Sequence, residues 1–256
     1  VVNLLFSQLF FSEYAEGSSN HKYLEIYNTS NQDIDLSGYA YPNATNGANV
    51  DGTYDYWNTF DNGSVILAND VFVICHPQAD ASAIQPACDQ THTYLSNGDD
   101  GFCLAQGTET SYTLLDCIGT WSSTDPGDGW SVAGISNGTK DHTLVRKVDV
   151  VSGNAGDWNL SAGTNVDDSE WIVLEQNEWS YVGFHPHDGL EGLTDDGGDD
   201  GGSSSSEICN DGIDNDGDSY IDCDDFDCSS DLSCNSGGSG SCAEYGCVGY
   251  TPENSC

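Results

Sequence analysis

Leu24 and Ile26 alternate with less apolar neighbours in Tyr23-Leu24-Glu25-Ile26-Tyr27, a period of two that places both aliphatics on one face of a strand. Val71 to Cys75 is instead an unbroken apolar run, the pattern of a strand buried on both sides. Further strands are predicted at residues 102–105, 112–118, 143–147 and 171–174. Asn97-Gly98, between Tyr94-Leu95 and Phe102-Cys103, signals a turn in a loop longer than two residues. No long amphipathic helix competes. Seven or more short strands punctuated by Gly, Asn, Asp, Ser and Thr predict an all-β sandwich over residues 1–188.

Beyond that point the pattern changes. Asp195-Asp196-Gly197-Gly198-Asp199-Asp200-Gly201-Gly202 and the four serines after it cannot build a core, and their like charges repel. Residues 189–206 are therefore expected to be an extended acidic Gly/Ser linker. Residues 207–234 form a small unit dense in cysteine and aspartate, residues 235–241 a second spacer, and residues 242–256 a last cysteine-rich fragment.

Charge narrows the function classes. The chain has 43 Asp and Glu against four bases, Lys22, Lys140, Arg146 and Lys147, for a net charge of -39. So few cations cannot displace counterions from phosphates, which argues against nucleic acid and makes divalent cations the natural counter-partners. Eleven cysteines indicate an oxidising compartment. No stretch approaches the roughly 20 apolar residues of a membrane span, so no membrane insertion is expected. Five N-x-[ST] sequons, at Asn28, Asn43, Asn62, Asn137 and Asn159, predict N-linked glycans and an extracellular location, secreted or cell-surface. Without a basic-then-apolar leader, Val1 reads as the start of a processed chain.

The run from Leu9 to Ser18 (LFFSEYAEGS), then Lys22 to Asn28 (KYLEIYN), resembles the opening of a lamin-tail domain. Asp35-Leu36-Ser37-Gly38-Tyr39, Leu95-Ser96-Asn97-Gly98-Asp99-Asp100 and His142-Thr143-Leu144-Val145-Arg146 continue the likeness, which covers residues 4–184. The resemblance implies an immunoglobulin-like β-sandwich and an interaction or structural role, with no catalytic residues to carry over. Outside nuclear lamins such domains occur in secreted proteins, often beside nucleases, phosphoesterases or adhesive modules. Glu13 and Glu25, beside core-facing aromatics, are placed to accept hydrogen bonds from turn N–H groups. Residues 97–100 suit left-handed geometry and bonds to their own backbone, so turn formation is their first role and a cation site at Asp99 and Asp100 the alternative. Cys75, Cys88, Cys103 and Cys117 allow three pairings, of which Cys75–Cys88 and Cys103–Cys117 close the shortest loops.

Within residues 207–234, Asp211, Asp214, Asp216, Asp218, Asp222 and Asp224 supply the oxygen ligands hard cations take, and Gly217 permits a sharp turn. The unit is similar to thrombospondin type 3 calcium repeats and to a cysteine-framed metal-binding repeat of bacterial surface proteins. It lacks the terminal Glu of an EF-hand loop. Calcium is the expected cofactor; copper is disfavoured because the unit contains neither His nor Met, and Cys209, Cys223, Cys228 and Cys234 are expected as disulfides rather than zinc ligands. The tail, with Cys242, Cys247 and Cys256, resembles part of a somatomedin-B-like knot. Three cysteines cannot all pair within it, so one is expected to pair with a partner or with chain beyond Cys256.

No nucleophile elbow, phosphate loop or H-E-x-x-H motif is present. His185-Pro186-His187 offers a metal clip on paper, but exposed or capping histidines are the expectation. The chain is therefore predicted to be a non-catalytic structural or assembly subunit of an extracellular appendage, fibre or matrix. Its expected partners are other copies of itself or other extracellular structural proteins. The alternatives are an adhesive module whose aromatics at Tyr54-Asp55-Tyr56-Trp57 contact glycans, and the accessory region of a larger secreted hydrolase or nuclease.

Overall fold

The computed structural model describes residues 8–187. They carry the strands β1 (Leu9–Glu16), β2 (Lys22–Asn28), β3 (Ile34–Asp35), β4 (Tyr39–Ala40), β5 (Asn43–Ala44) and β6 (Val65–Ile66). β7 (Val71–Cys75), β8 (Gln90–Thr91), β9 (Gly101–Thr108), β10 (Ser111–Ile118), β11 (Thr143–Arg146) and β12 (Trp171–Leu174) follow, with a short α-helix, α1 (Trp158–Ala162), before the last strand and single 3-10 turns at Leu36–Gly38 and Gln85–Ala87. The order β12-β11-β1-β2-β7-β8 makes a six-stranded sheet, antiparallel except at the β7–β8 edge. The second sheet runs β10-β9-β4, with β5 also on β9, while β3 and β6 pair with each other.

Alternation decides which face meets the core. Leu24, Ile26, Phe72, Ile74 and Leu144 from the first sheet pack with Phe102, Leu104, Leu115 and Ile118 from the second, all buried in one cluster. The result is an all-β, immunoglobulin-like sandwich.

The outer face of the six-stranded sheet is also covered. Ala15, Tyr23, Val73 and Cys75 pack there with Trp179 and Val182, and Val145 and Ile172 with Tyr181. This cover, from residues 175–187 together with Ala79, Ile84, Ala87 and Cys88, is why β7 is apolar throughout and why all eight residues of β1 are buried. β1 escaped prediction as a strand because its polar Ser12, Glu13 and Glu16 are inside with the rest.

The predicted strands at 102–105 and 112–118 fall within β9 and β10, 171–174 is β12, and 143–147 is β11 with Lys147 left outside. Cys103 and Cys117 face each other across β9 and β10 and are bonded. Cys75 is bonded to Cys88, tying β7 to the segment before β8. No helix among the described residues is long and apolar enough to cross a membrane.

Candidate functional site

The β1–β2 register sets Glu13 opposite Glu25 on the outer face, both fully buried. The Tyr23 hydroxyl donates to Oε1 of Glu13 at 2.5 Å, and Glu25 accepts from the Ser12 hydroxyl at 2.6 Å and the Gly183 N–H at 2.7 Å. Burial pushes Glu25 up to about 8, and burial followed by the Glu25 charge holds Glu13 well above its ordinary value. Oε2 of Glu13 is buried without a partner, which a neutral carboxyl tolerates far better than an ionised one. Glu25 thus takes a backbone N–H from the covering segment, as expected of it, whereas Glu13 takes a phenol. Glu25 thereby holds the cover to the sheet through Gly183, while Glu13 is bonded within the sheet through Tyr23.

A second buried constellation joins the sheets. A bulge in β1 between Phe11 and Glu13 and one in β10 between Leu114 and Asp116 bring Asp116 under the first sheet. Asp116 accepts from the Phe11 N–H at 2.9 Å, the Asn154 N–H at 2.9 Å, and both terminal nitrogens of Arg146 at 3.2 and 3.3 Å. Arg146 also bonds Glu170 at 2.7 Å and lies 4.4 Å from the centre of the Trp171 ring. Sequence reading missed both residues. The signal was a lone charge inside an otherwise buried apolar strand, which must have a partner.

The loop at residues 97–100 has the turn role. Gly98 sits at φ +102°, and an added Cβ would come within 2.7–2.9 Å of Lys140 and the Asp128 carbonyl, so both conformation and space require glycine. The Ser96 hydroxyl accepts from the N–H groups of Gly98 and Asp100. Asp99 and Asp100 accept from the side chain and backbone of Asn46, at 2.9 and 3.0 Å, and burial lifts Asp100 to about 6. Among the described residues no group of three or more His, Cys, Asp or Glu is arranged to hold a metal ion.

Among the described residues, a concave feature lies elsewhere. Residues Asn43, Thr45, Tyr56, Asn58, His92 and Tyr94 line a groove of about 390 Å³. Asn43 and Tyr56 hold its floor by exchanging backbone hydrogen bonds at 3.0 Å each way. The Asn58 amide nitrogen donates to the Tyr41 carbonyl and to Oδ1 of Asn43, at 3.1 and 2.9 Å. Nδ1 of His92 is 3.3 Å from the Tyr41 hydroxyl, and burial pulls its pKa down, so the ring is neutral at pH 7. Tyr56 and Tyr94 stand at the rim, 59% and 81% exposed. Of the aromatics flagged at Tyr54-Asp55-Tyr56-Trp57, only Tyr56 is offered here. Tyr54 and Trp57 pack together with Tyr112, and Tyr54 also with Trp121.

Residues 6–119 match the family model of the Lamin Tail Domain. No curated protein matches the chain. The lamin-tail span covers β1 to β10, including Asp116 and every groove residue, and stops before Arg146, β11, β12 and the covering segment. A lamin-tail sandwich is a non-catalytic fold.

Two sequons in the lamin-tail span are corrected by burial. Asn28 is fully buried, and its amide donates to the carbonyls of Gln32, Leu67 and Ile66 at 2.8, 2.9 and 3.4 Å. Asn43 is 3% exposed with its Oδ1 bonded to Asn58, so neither side chain has the room around its nitrogen that an attached glycan needs in this fold. Asn62, Asn137 and Asn159 are exposed. His185 and His187 are buried, not exposed as expected: His185 lies edge-on to Phe10 and Tyr27, His187 to Tyr181 and Phe184. Desolvation draws them down to about 3 and 4, so both rings are neutral packing groups.

The 189–206 linker, the 207–234 repeat with Asp211, Asp214, Asp216, Asp218, Asp222, Asp224, Cys209, Cys223, Cys228 and Cys234, and the 235–256 tail lie outside the described residues.

Proposed function

We propose that this chain is a non-catalytic structural subunit of an extracellular assembly, in which the sandwich makes contacts and the Asp/Cys-rich repeat takes calcium. The observation that carries the reading is where the sandwich commits its ionisable groups. Glu13, Glu25, Asp116 and Arg146 are fully buried and bonded to strands or to the covering segment, while the groove is lined by uncharged side chains. Catalytic acids and bases have to meet a substrate in a cleft. Here the buried ionisable groups fasten layers together.

Two disulfides, each closing a short loop, suit an oxidising exterior where stapled domains persist. A chain with 43 acidic residues and a net charge of -39 needs counterions to approach a second copy of itself, and divalent calcium at the repeat would provide bridging charge. Electron microscopy of native material is the test. Ordered fibres or sheets containing this chain support the reading, and a dispersed monomeric protein opposes it.

A further inference from the structure

The groove rimmed by Tyr56 and Tyr94 has a makeup at odds with the chain around it. The protein has 43 acidic side chains, yet Asn43, Thr45, Tyr56, Asn58, His92 and Tyr94 contribute no carboxylate and no cation. Its volume of about 390 Å³ falls in the range of small-ligand sites. Three segments distant in sequence, at residues 43–45, 56–58 and 92–94, are brought together to form it.

The bonding capacity left in it is specific. Oδ1 of Asn43 and Nδ2 of Asn58 satisfy each other, which leaves Nδ2 of Asn43 as a donor and Oδ1 of Asn58 as an acceptor with no other bond among the described residues. The Thr45 hydroxyl adds a group that both donates and accepts. The two tyrosine rings, 59% and 81% exposed, present flat apolar faces at the rim with hydroxyls in water. Paired donors and acceptors beside flat aromatic faces complement a ring carrying hydroxyls on its edge and C–H groups on its face. A net charge of -39 repels anions, and a lining without carboxylates offers a cation nothing to pair with.

We propose that this groove binds an uncharged pyranose unit of a polysaccharide, with Tyr56 and Tyr94 stacking on the sugar and Asn43, Asn58 and Thr45 bonding its hydroxyls. The site goes beyond the assembly reading and does not depend on it. It adds adhesion to a neutral glycan through the sandwich.

The test is calorimetric titration of the full chain with four neutral hexasaccharides, cellohexaose, xylohexaose, mannohexaose and chitohexaose, and with hexagalacturonate as the anionic control. At least one neutral sugar is expected to bind, with hexagalacturonate weaker by about tenfold or more. Tyr56→Ala and Tyr94→Ala are each expected to weaken that binding by about tenfold with the melting temperature unchanged. Val151→Ala, at another exposed apolar side chain, should bind as the parent does. The proposal is overturned if no neutral hexasaccharide binds up to about 10 mM. It is equally overturned if hexagalacturonate binds as well as the best neutral sugar, or if both tyrosine variants retain full affinity. None of these outcomes alters calcium-dependent assembly, which is read separately by sedimentation.

Discussion

Asp116 of β10 and Arg146 of β11 pair across the two sheets at 3.2 Å, both side chains fully buried. At the same place the β1 bulge leaves the Phe11 N–H pointing at the same carboxylate. Removing Asp116 leaves the buried Arg146 with Glu170 as its remaining carboxylate and takes the acceptor away from the Phe11 and Asn154 N–H groups, and that penalty exceeds the value of the contact itself. Asp116→Ala is expected to lower unfolding free energy by about 3–5 kcal/mol, measured by urea denaturation. A loss under about 1 kcal/mol would show that water reaches Arg146 and that the junction is held by apolar packing alone.

Glu25 sets a pH dependence of opposite sign to that of a salt-bridged acid. Its folded pKa of about 8 lies above its ordinary value of 4.5, so the folded state holds the proton more tightly than the unfolded chain does. The stability from this group is fully present below pH 4.5 and is lost as pH rises from there to about 8. Glu13, raised in the same direction, adds to the trend. Unfolding free energies from urea titrations at pH 5 to pH 8 should fall, with a slope of up to about 1.4 kcal/mol per pH unit for each group. Glu25→Gln, which cannot ionise, should flatten that slope. A midpoint independent of pH across the window would place both carboxyls in contact with solvent.

Burial divides the five sequons. Glycans, where added, are expected on Asn62, Asn137 and Asn159 and not on Asn28 or Asn43, as peptide mapping after enzymatic deglycosylation would read. Asn28→Gln should cost about 1–3 kcal/mol, because its amide serves carbonyls in two separate loops. Asn62→Gln should stay within about 0.5 kcal/mol of the parent.

Sequence legibility followed how local each signal was. The unbroken apolar runs of β7 and β12 are local signals, and both strands lie where the chain predicts them. β1 lacks such a signal, because its polar residues are buried by distant parts of the chain, as where Glu16 accepts from the Asp141 N–H, 125 positions away. The groove was half visible. Tyr56 stood out as an aromatic in a polar loop, but Tyr94 and His92 join it only through the path of the chain after β8. Asn43 carried a sequon that pointed to the surface, and pairing with Asn58 was not a local signal. His185 and His187 followed a similar rule: their position near the end of the sandwich suggested exposure, and aromatic packing from Phe10, Tyr27, Tyr181 and Phe184 reversed it.

Sedimentation velocity of the full chain, in millimolar calcium and again in excess chelator, addresses most directly the claim that this protein works through contacts between molecules. Calcium should shift the chain to larger, slowly dissociating species, and chelation should return it to a monomer, since extracellular calcium modules are tuned to that concentration range. A single monomeric boundary in both conditions would contradict the account.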